Sequence, residues 1–269
     1  MIERRRERTT DGRRTRGIGD RIDSAHLDEY RPALAAFVVL LGTWQLATVL
    51  LTVPTVVLPS PLDVGVALVA TWRPLFGDAF VTGLTAALGL AGGVSLGLAL
   101  AFGMTASRTV EAVVRPYVVG LRITPLVAIA PLLFLWFGRG IPARALLVTT
   151  LTQFPVAIAS AGGLRAVPRE YLDLARSVAA SPWQTFFRVR VPAAAPSVFA
   201  GVKLAAALSV IGAVVAEFVT LTDGLGYRVF VTSTRLQTAQ TYAALSVLAA
   251  LGLVFYLVPA WFERRSRSR

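Results

Sequence analysis

The 269-residue chain lacks cysteine altogether and contains one histidine, His26, in a polar segment. A disulfide framework, a thiolate nucleophile and a cysteine metal site are therefore absent, and a histidine metal site or a histidine-based triad is excluded as well. Charged residues are also scarce, at 16% of the chain. Soluble domains carry about 25% charged residues, so the composition argues against an ordinary soluble globule.

The sequence is instead rich in apolar residues, which make up 55% of it and give a mean hydropathy of +0.65. They are concentrated in six nearly uncharged stretches of about 20 residues, the length that crosses ~30 Å of hydrocarbon as a helix. These stretches leave no room for a separate soluble catalytic domain. We predict an all-α membrane protein with about six transmembrane helices, at residues 33–53, 79–107, 117–137, 145–163, 197–219 and 242–262.

The net charge is +12, and Lys203 is the only lysine among the 27 basic residues. If both termini lie in the cytoplasm, 22 of these 27 residues fall on the cytoplasmic side, as the positive-inside rule requires. The charge therefore indicates a multi-pass plasma-membrane protein and not a protein that binds nucleic acid. We expect a disordered cytoplasmic tail at 1–31, a transmembrane domain at 32–262 and a basic cytoplasmic end at 263–269.

Small residues recur every four positions in the second span, at Gly89, Gly93 and Gly97. Such a stripe lets two helix backbones approach closely in lipid. Tight packing within one subunit is the favoured interpretation, and a dimer contact or a sliding contact is the alternative.

Polar and helix-breaking residues within the spans are candidates for a translocation pathway. Pro125 and Pro131 kink the third span, and a kinked helix leaves carbonyl groups free to line a cavity, to which Thr124 and Gln153 add polar edges. A kink in a passive span is an equal alternative. Glu217 ends the fifth span, where we expect a gate or a structural hydrogen bond, with simple exposure at the interface as the alternative.

A polar insert at 164–195 separates the fourth and fifth spans. Pro168 suits the start of a first helix, whose apolar face carries Tyr171, Leu174, Ala175 and Val178. Ser181 and Pro182 then indicate the N-cap and first turn of a second helix. That helix presents an aromatic ridge formed by Trp183, Phe186 and Phe187. We expect it to end before the fifth span, at Pro192 and Pro196.

The insert resembles the cytoplasmic signature of permease subunits from binding-protein-dependent ABC importers. That signature reads Glu-Ala-Ala, three residues, Gly, nine residues and Ile-x-Leu-Pro. The spacing holds here while the identities drift, at positions Asp173, Leu174, Ala175, Ala179, Val189, Arg190, Val191 and Pro192. The blocks PLVAIAPLLFLWFGRG and AVVAEFVTLTDGLGYRV are similar to the nitrate/sulfonate/taurine-type branch, and the resemblance covers roughly residues 35–262.

This resemblance implies partners and a role for the chain. A separate ATP-binding subunit would contact residues 171–183, an extracytoplasmic solute-binding protein would deliver the solute, and two permease chains, as a homodimer in membrane lipid, would frame one pathway. The chain has no GxxxxGK[ST] phosphate loop, so ATP is used by the partner, and we expect neither a bound cofactor nor a catalytic or metal site. The implied solute is small and polar or anionic, such as nitrate, a sulfonate or taurine, with a thiamine precursor or another vitamin-like solute as the alternative.

The resemblance also raises a question of geometry at Ala179, where the signature has glycine. Glycine permits a positive φ at the bend, and alanine costs about 1 kcal/mol more in that conformation. Either the loop is strained or the bend lies at Ala180–Ser181.

Three other functions remain open from the residues alone. An ion-coupled secondary carrier would need acid pairs or matched halves, and a membrane enzyme would need a convergent acid–base pair. A passive channel or scaffold would show no ATPase stimulation by its substrate.

Overall fold

All regular secondary structure in the part of the chain that the computed structural model describes, residues 19–123 and 126–267, is helical. The elements are α1 (Gly19–Leu50), α2 (Pro61–Ala70), α3 (Trp72–Ala106), α4 (Arg108–Ile123), α5 (Leu126–Phe137), α6 (Ile141–Arg165), α7 (Arg169–Ser177), α8 (Pro182–Thr185), a π-helical turn (Phe186–Arg190), α9 (Val191–Thr220), α10 (Leu225–Thr234) and α11 (Thr238–Arg267). The predicted all-α class is confirmed.

Five helical segments among the described residues are long and apolar enough to cross a membrane. They are Arg31–Leu50, Trp72–Ala106, Ile141–Arg165, Pro182–Thr220 and Thr238–Arg265. Of the predicted third span, the described residues belong to α4, which runs to Ile123, and to α5, which runs from Leu126. Thr124 and Pro125 lie outside the described residues, whereas Pro131 is accommodated within α5 without ending it.

The N-terminal tail differs from the expectation in its second half. Residues 1–18 lie outside the described residues, but α1 already begins at Gly19 and continues through Pro32. Residues 19–31 are therefore helical in the structure, and the extent of a disordered tail stays a prediction. The segment 19–31 has one glycine and no proline, a composition that is compatible with a helix.

The chain divides into two compact units, Met1–Leu62 and Asp63–Arg269. In the first, α1 is followed by a short turn in which the Val57 amide donates to the Pro54 carbonyl at 2.8 Å. The Leu62 amide donates to Gln45 Oε1 at 3.3 Å, which ties the end of the turn back to α1.

In the second unit, α6 lies between α3, which runs parallel to it, and α9, which runs antiparallel. A Cβ atom at Gly97 would lie 2.7 Å from the Gln153 carbonyl oxygen, and one at Gly201 would lie 2.7 Å from the Pro155 carbonyl oxygen. Neither position has room for a side chain, so three backbones pack closely, as small residues permit in lipid. The stripe at Gly89, Gly93 and Gly97 therefore packs against α6 of the same chain.

Candidate functional sites at the two ends of the bundle

The helices of the second unit have two distinct ends. The insert end carries residues 164–195, and the loop end carries the turn between α9 and α10 together with α10 itself. Each end holds part of the predicted site.

The insert begins as the sequence predicts, with α7 starting directly after Pro168. Tyr171 and Leu174 on this helix and Val178 at its C-cap are 55%, 63% and 69% exposed, whereas Ala175 is 5% exposed. Apolar side chains of this size are usually buried. Their exposure on the insert, at one end of the helices, indicates a surface that contacts another molecule.

A groove of about 400 Å³ runs between α7 and the segment after the bend. All four residues predicted to share the apolar face of α7 line it, so that prediction is confirmed. We call this surface the coupling groove; its lining is Tyr171, Leu174, Ala175, Val178, Ala180, Gln184, Thr185, Arg188 and Val189.

The bend after α7 lies at Ala179, whose φ is +52°. The Ala180 amide donates to the Ala175 carbonyl at 2.9 Å, and the Ala179 amide donates to the Arg176 carbonyl at 3.0 Å. These two bonds define a Schellman motif, which places a residue in the left-handed region and usually employs glycine there. Of the two possibilities that the sequence left open, the strained loop is the one found.

The second helix of the insert starts at a capping box. Ser181 Oγ accepts from the Gln184 amide at 3.2 Å, and Gln184 Oε1 accepts from the Ser181 amide at 2.9 Å. Pro182 occupies the first turn. The predicted N-cap and helix start are confirmed, and the reciprocal bonds satisfy two amides that would otherwise lack partners.

The predicted end of this second helix is wrong. Instead of stopping at Pro192 and Pro196, the chain passes through the π-helical turn Phe186–Arg190 directly into α9, which contains both prolines. The Val191 amide donates to the Phe186 carbonyl five residues back, so the wider turn adjusts the hydrogen bonding just before a residue that has no amide hydrogen. A continuous helical segment, Pro182–Thr220, thus joins the insert to the loop end.

Aromatic contacts attach this segment to α3. The Phe102 and Phe186 rings meet edge to face at 5.4 Å, and Phe187 lies 4.5 Å from the Trp183 ring. Trp183 itself is 73% exposed. Asp173, at the signature's acidic position, forms only an exposed ion pair with Arg176 at 2.7 Å, and such a pair contributes little to stability.

Two charged contacts hold the helices together at the insert end. Arg165 lies 2.9 Å from Glu111 and also donates to the Met104 carbonyl at 3.1 Å. Lys203 forms an ion pair with Glu263 at 2.6 Å between α9 and α11. Neither pair follows from a local sequence pattern, because the partners are more than 50 residues apart in the chain.

Glu217 lies at the loop end and is fully buried. Its carboxylate accepts from Thr82 Oγ1 at 2.8 Å and from the Gly226 amide at 2.7 Å, while Thr82 Oγ1 accepts from the Leu225 amide at 2.8 Å. The alternative of simple interfacial exposure is therefore wrong. The acid ties the first turn of α10 to α3 and α9.

The backbone around Glu217 is shaped to this contact. Gly224 has a φ of +105°, a conformation that residues with a side chain rarely adopt. At Gly226, a Cβ atom would lie 2.9 Å from Glu217 Oε2. Both glycines let the chain close over the carboxylate.

A second charged contact supports the same turn. Arg144, which is 2% exposed, lies 2.6 Å from Asp223 Oδ1 and donates to the Asp223 carbonyl at 3.2 Å. Arg228 on α10 pairs with Asp78 on α3. Sequence reasoning missed both pairs; the only signal was a set of charges flanking the spans, and it could not match the partners.

The remaining pathway candidates are divided among different environments. Gln153 is 6% exposed and its amide donates to the Thr150 carbonyl at 3.4 Å, which places it at the contact between α3 and α6 and not at an open cavity. Pro131 is exposed on α5. Among the described residues, Gln153, Pro131 and Glu217 thus lie in different environments, and a shared pathway stays a prediction.

The fold is that of an ABC-transporter permease. A solved structure described as an amino acid ABC transporter with histidines superposes with a TM-score of 0.63 at 19% identity, covering 74% of this chain and 97% of that chain.

Sequence comparison supplies the family. Residues 93–268 match the model for the binding-protein-dependent transport system inner membrane component. A probable ABC transporter permease of Haemophilus influenzae is 37% identical over 84% of this chain and 93% of its own length. The formylaminopyrimidine transport permease of Halalkalibacterium halodurans is 31% identical over 81% and 87%, and the putative aliphatic sulfonates transport permease of Bacillus subtilis is 31% identical over 80% and 78%.

The chain therefore belongs to the family of binding-protein-dependent ABC importer permeases. It is a multi-pass membrane transport protein and not an enzyme. Membership of this family implies an ATP-hydrolysing subunit and a solute-binding protein as partners.

Proposed function

We propose that this chain forms half of the translocation pathway of an ABC importer for a small polar or anionic solute. The observation that carries the proposal is the coupling groove, an exposed apolar surface at the position of the family's cytoplasmic signature. A separate ATPase subunit binds this groove and supplies the energy.

The proposed orientation follows from the charges at the two ends. Arg165, Arg169, Arg176, Arg188 and Arg190 belong to the insert or its border, and positive charge marks the cytoplasmic side. Both termini and the insert then lie in the cytoplasm, and α10 lies outside. The third span is formed by the apolar end of α4 together with α5, and residues 124–125 between them lie outside the described part of the chain. The proposed domains are the tail 1–31, the permease 32–262 with its insert 164–195, and the basic end 263–269.

The proposed mechanism uses the continuity of α8 and α9. Closure of two ATPases on ATP moves Tyr171–Trp183 as a unit, and the segment Pro182–Thr220 carries that displacement towards the loop end. Two copies of the chain, as a homodimer, frame one pathway that opens alternately to the two sides. The ATPases drive the cycle to the extent that they bind one conformation more tightly.

The solute class has two candidates. A sulfonate or a related anion is supported by the likeness to the putative sulfonate permease of Bacillus subtilis. A thiamine precursor is the second candidate, since the formylaminopyrimidine permease of Halalkalibacterium halodurans is equally similar. Thermal-shift screening of the cognate binding protein with taurine, an alkanesulfonate and formylaminopyrimidine separates the two.

Copurification tests the coupling groove. Leu174→Arg places a charge on a 63% exposed apolar side chain, so we expect the ATPase to be lost from the purified complex while the permease still inserts into the membrane. Glu170→Arg is the matched control, because Glu170 is exposed on the same helix but lies outside residues 171–183 and does not line the groove. Full recovery of the ATPase with Leu174→Arg contradicts the proposal.

A further inference from the structure

A second pocket, of about 410 Å³, lies at the loop end. It is formed by one face of α10 and by the turn into α11. Its polar lining consists mainly of Tyr227, Arg228, Arg235, Gln237 and Gln240. Two guanidinium groups, two primary amides and a phenol hydroxyl are groups that donate hydrogen bonds, and no carboxylate lines the pocket.

The positive charge of the pocket is not cancelled. Arg228 pairs with Asp78 through Nε, so one of the two cations is offset. Arg235 is exposed, and no carboxylate in the described part of the chain forms an ion pair with it. Arg235 therefore sets the sign of the local potential.

The pocket also has a fixed floor. The Thr232 hydroxyl donates to the Arg228 carbonyl at 2.8 Å and accepts from Thr241 Oγ1 at 2.8 Å. The backbone amide of Gln237 donates to the Thr232 carbonyl at 2.9 Å. Because α10 is held in turn by Glu217, the donors stand on a rigid element, which lowers the entropy cost of binding.

We propose that this pocket binds an oxyanion, a sulfonate or carboxylate group, at the outer mouth of the permease. Its volume suits a small ligand, and guanidinium groups bind such oxygens through paired hydrogen bonds. The oxyanion comes either from the small solute or from a carboxylate side chain of the extracytoplasmic binding protein. The inference rests on the proposed orientation, which places the loop end outside the cell.

The natural absence of cysteine provides the test. Gln237→Cys introduces a single thiol into the pocket, and Gln240→Cys provides a second position if the first variant does not fold. The purified full-length chain in nanodiscs is treated with an anionic and a cationic methanethiosulfonate reagent. The ratio of the two rates reports the local potential, because any change in thiolate fraction affects both reagents equally.

We expect the anionic-to-cationic rate ratio to exceed that of the control Ser233→Cys, which is exposed on α10 but does not line the pocket. Adding Arg235→Gln should lower the ratio by about tenfold, since one charge at roughly 6 Å changes each rate about threefold in opposite directions. A ratio equal to that of the control, or one that is insensitive to Arg235→Gln, overturns the proposal.

Protection experiments separate the two sources. Slower labelling in the presence of taurine or methanesulfonate identifies the solute, and slower labelling only with the cognate binding protein identifies a protein carboxylate. Failure of both to protect also overturns the proposal. Labelling of intact cells tests the orientation separately: if the Gln237→Cys chain is labelled only in inside-out vesicles, the proposed function is refuted, whereas the nanodisc ratio still tests the pocket.

Discussion

Replacing Ala179 by glycine should stabilise the bend of the coupling insert. Ala179 holds a φ of +52° within the Schellman motif that ends α7. A side chain in the left-handed region costs roughly 1–2 kcal/mol. Glycine removes that cost but loses about 0.4–1 kcal/mol because its unfolded chain is more flexible. The net stabilisation is therefore about 0.5–1 kcal/mol.

Amide hydrogen exchange of the full-length chain in nanodiscs measures this change locally. The Ala180 amide donates the longer-range bond of the motif, to the Ala175 carbonyl at 2.9 Å. A net gain of about 0.5–1 kcal/mol corresponds to a two- to fivefold rise in its protection factor if exchange proceeds by local opening of the bend.

Ala180→Gly is the matched control, read at the Ala179 amide. Ala180 has no positive φ, so glycine there relieves no strain and should lower protection. Unchanged or lower protection in Ala179→Gly would refute the conclusion that the bend is strained.

Two further predictions concern the loop end and the helix contacts. The Glu217 carboxylate accepts hydrogen bonds from both Thr82 and Gly226, whereas in Glu217→Gln the side-chain NH2 group faces one of these two donors. We expect the free energy of unfolding to fall by about 1–3 kcal/mol and solute uptake to decrease, while the ATPase still copurifies. Wild-type uptake would show that the acid is not part of the transport machinery. Gly97→Val inserts a branched side chain at a position where even a Cβ atom would lie 2.7 Å from the Gln153 carbonyl oxygen. Overpacking should cost about 1–3 kcal/mol of stability and lower the thermal unfolding midpoint. An unchanged midpoint would contradict the close contact of α3 and α6.

Much of the fold could be predicted because it depends on local patterns. Span lengths follow from hydrophobic runs, and the cap at Ser181 follows from a serine that directly precedes a proline. The apolar face of α7 follows from helical periodicity alone. Each of these features is decided by residues within one or two turns of one another.

The misses share a different cause. The end of α8 and the start of α9 differ from the prediction because Pro192 and Pro196 suggest a helix end, whereas a π-helical turn carries the helix past them. The partners of Glu217 come from Thr82, 135 residues away, and from a turn whose course requires a positive φ at Gly224. Such contacts depend on the packing of three helices, which one sequence does not specify by pattern.

The most direct test of the account is the side of the membrane on which Leu174 is exposed. A single cysteine, Leu174→Cys, in the naturally cysteine-free chain is treated with a membrane-impermeant maleimide. We predict no labelling in intact cells, labelling in inside-out vesicles stripped of the ATPase, and protection when the ATPase is restored. Labelling from outside intact cells would contradict the cytoplasmic coupling groove and the importer mechanism built on it.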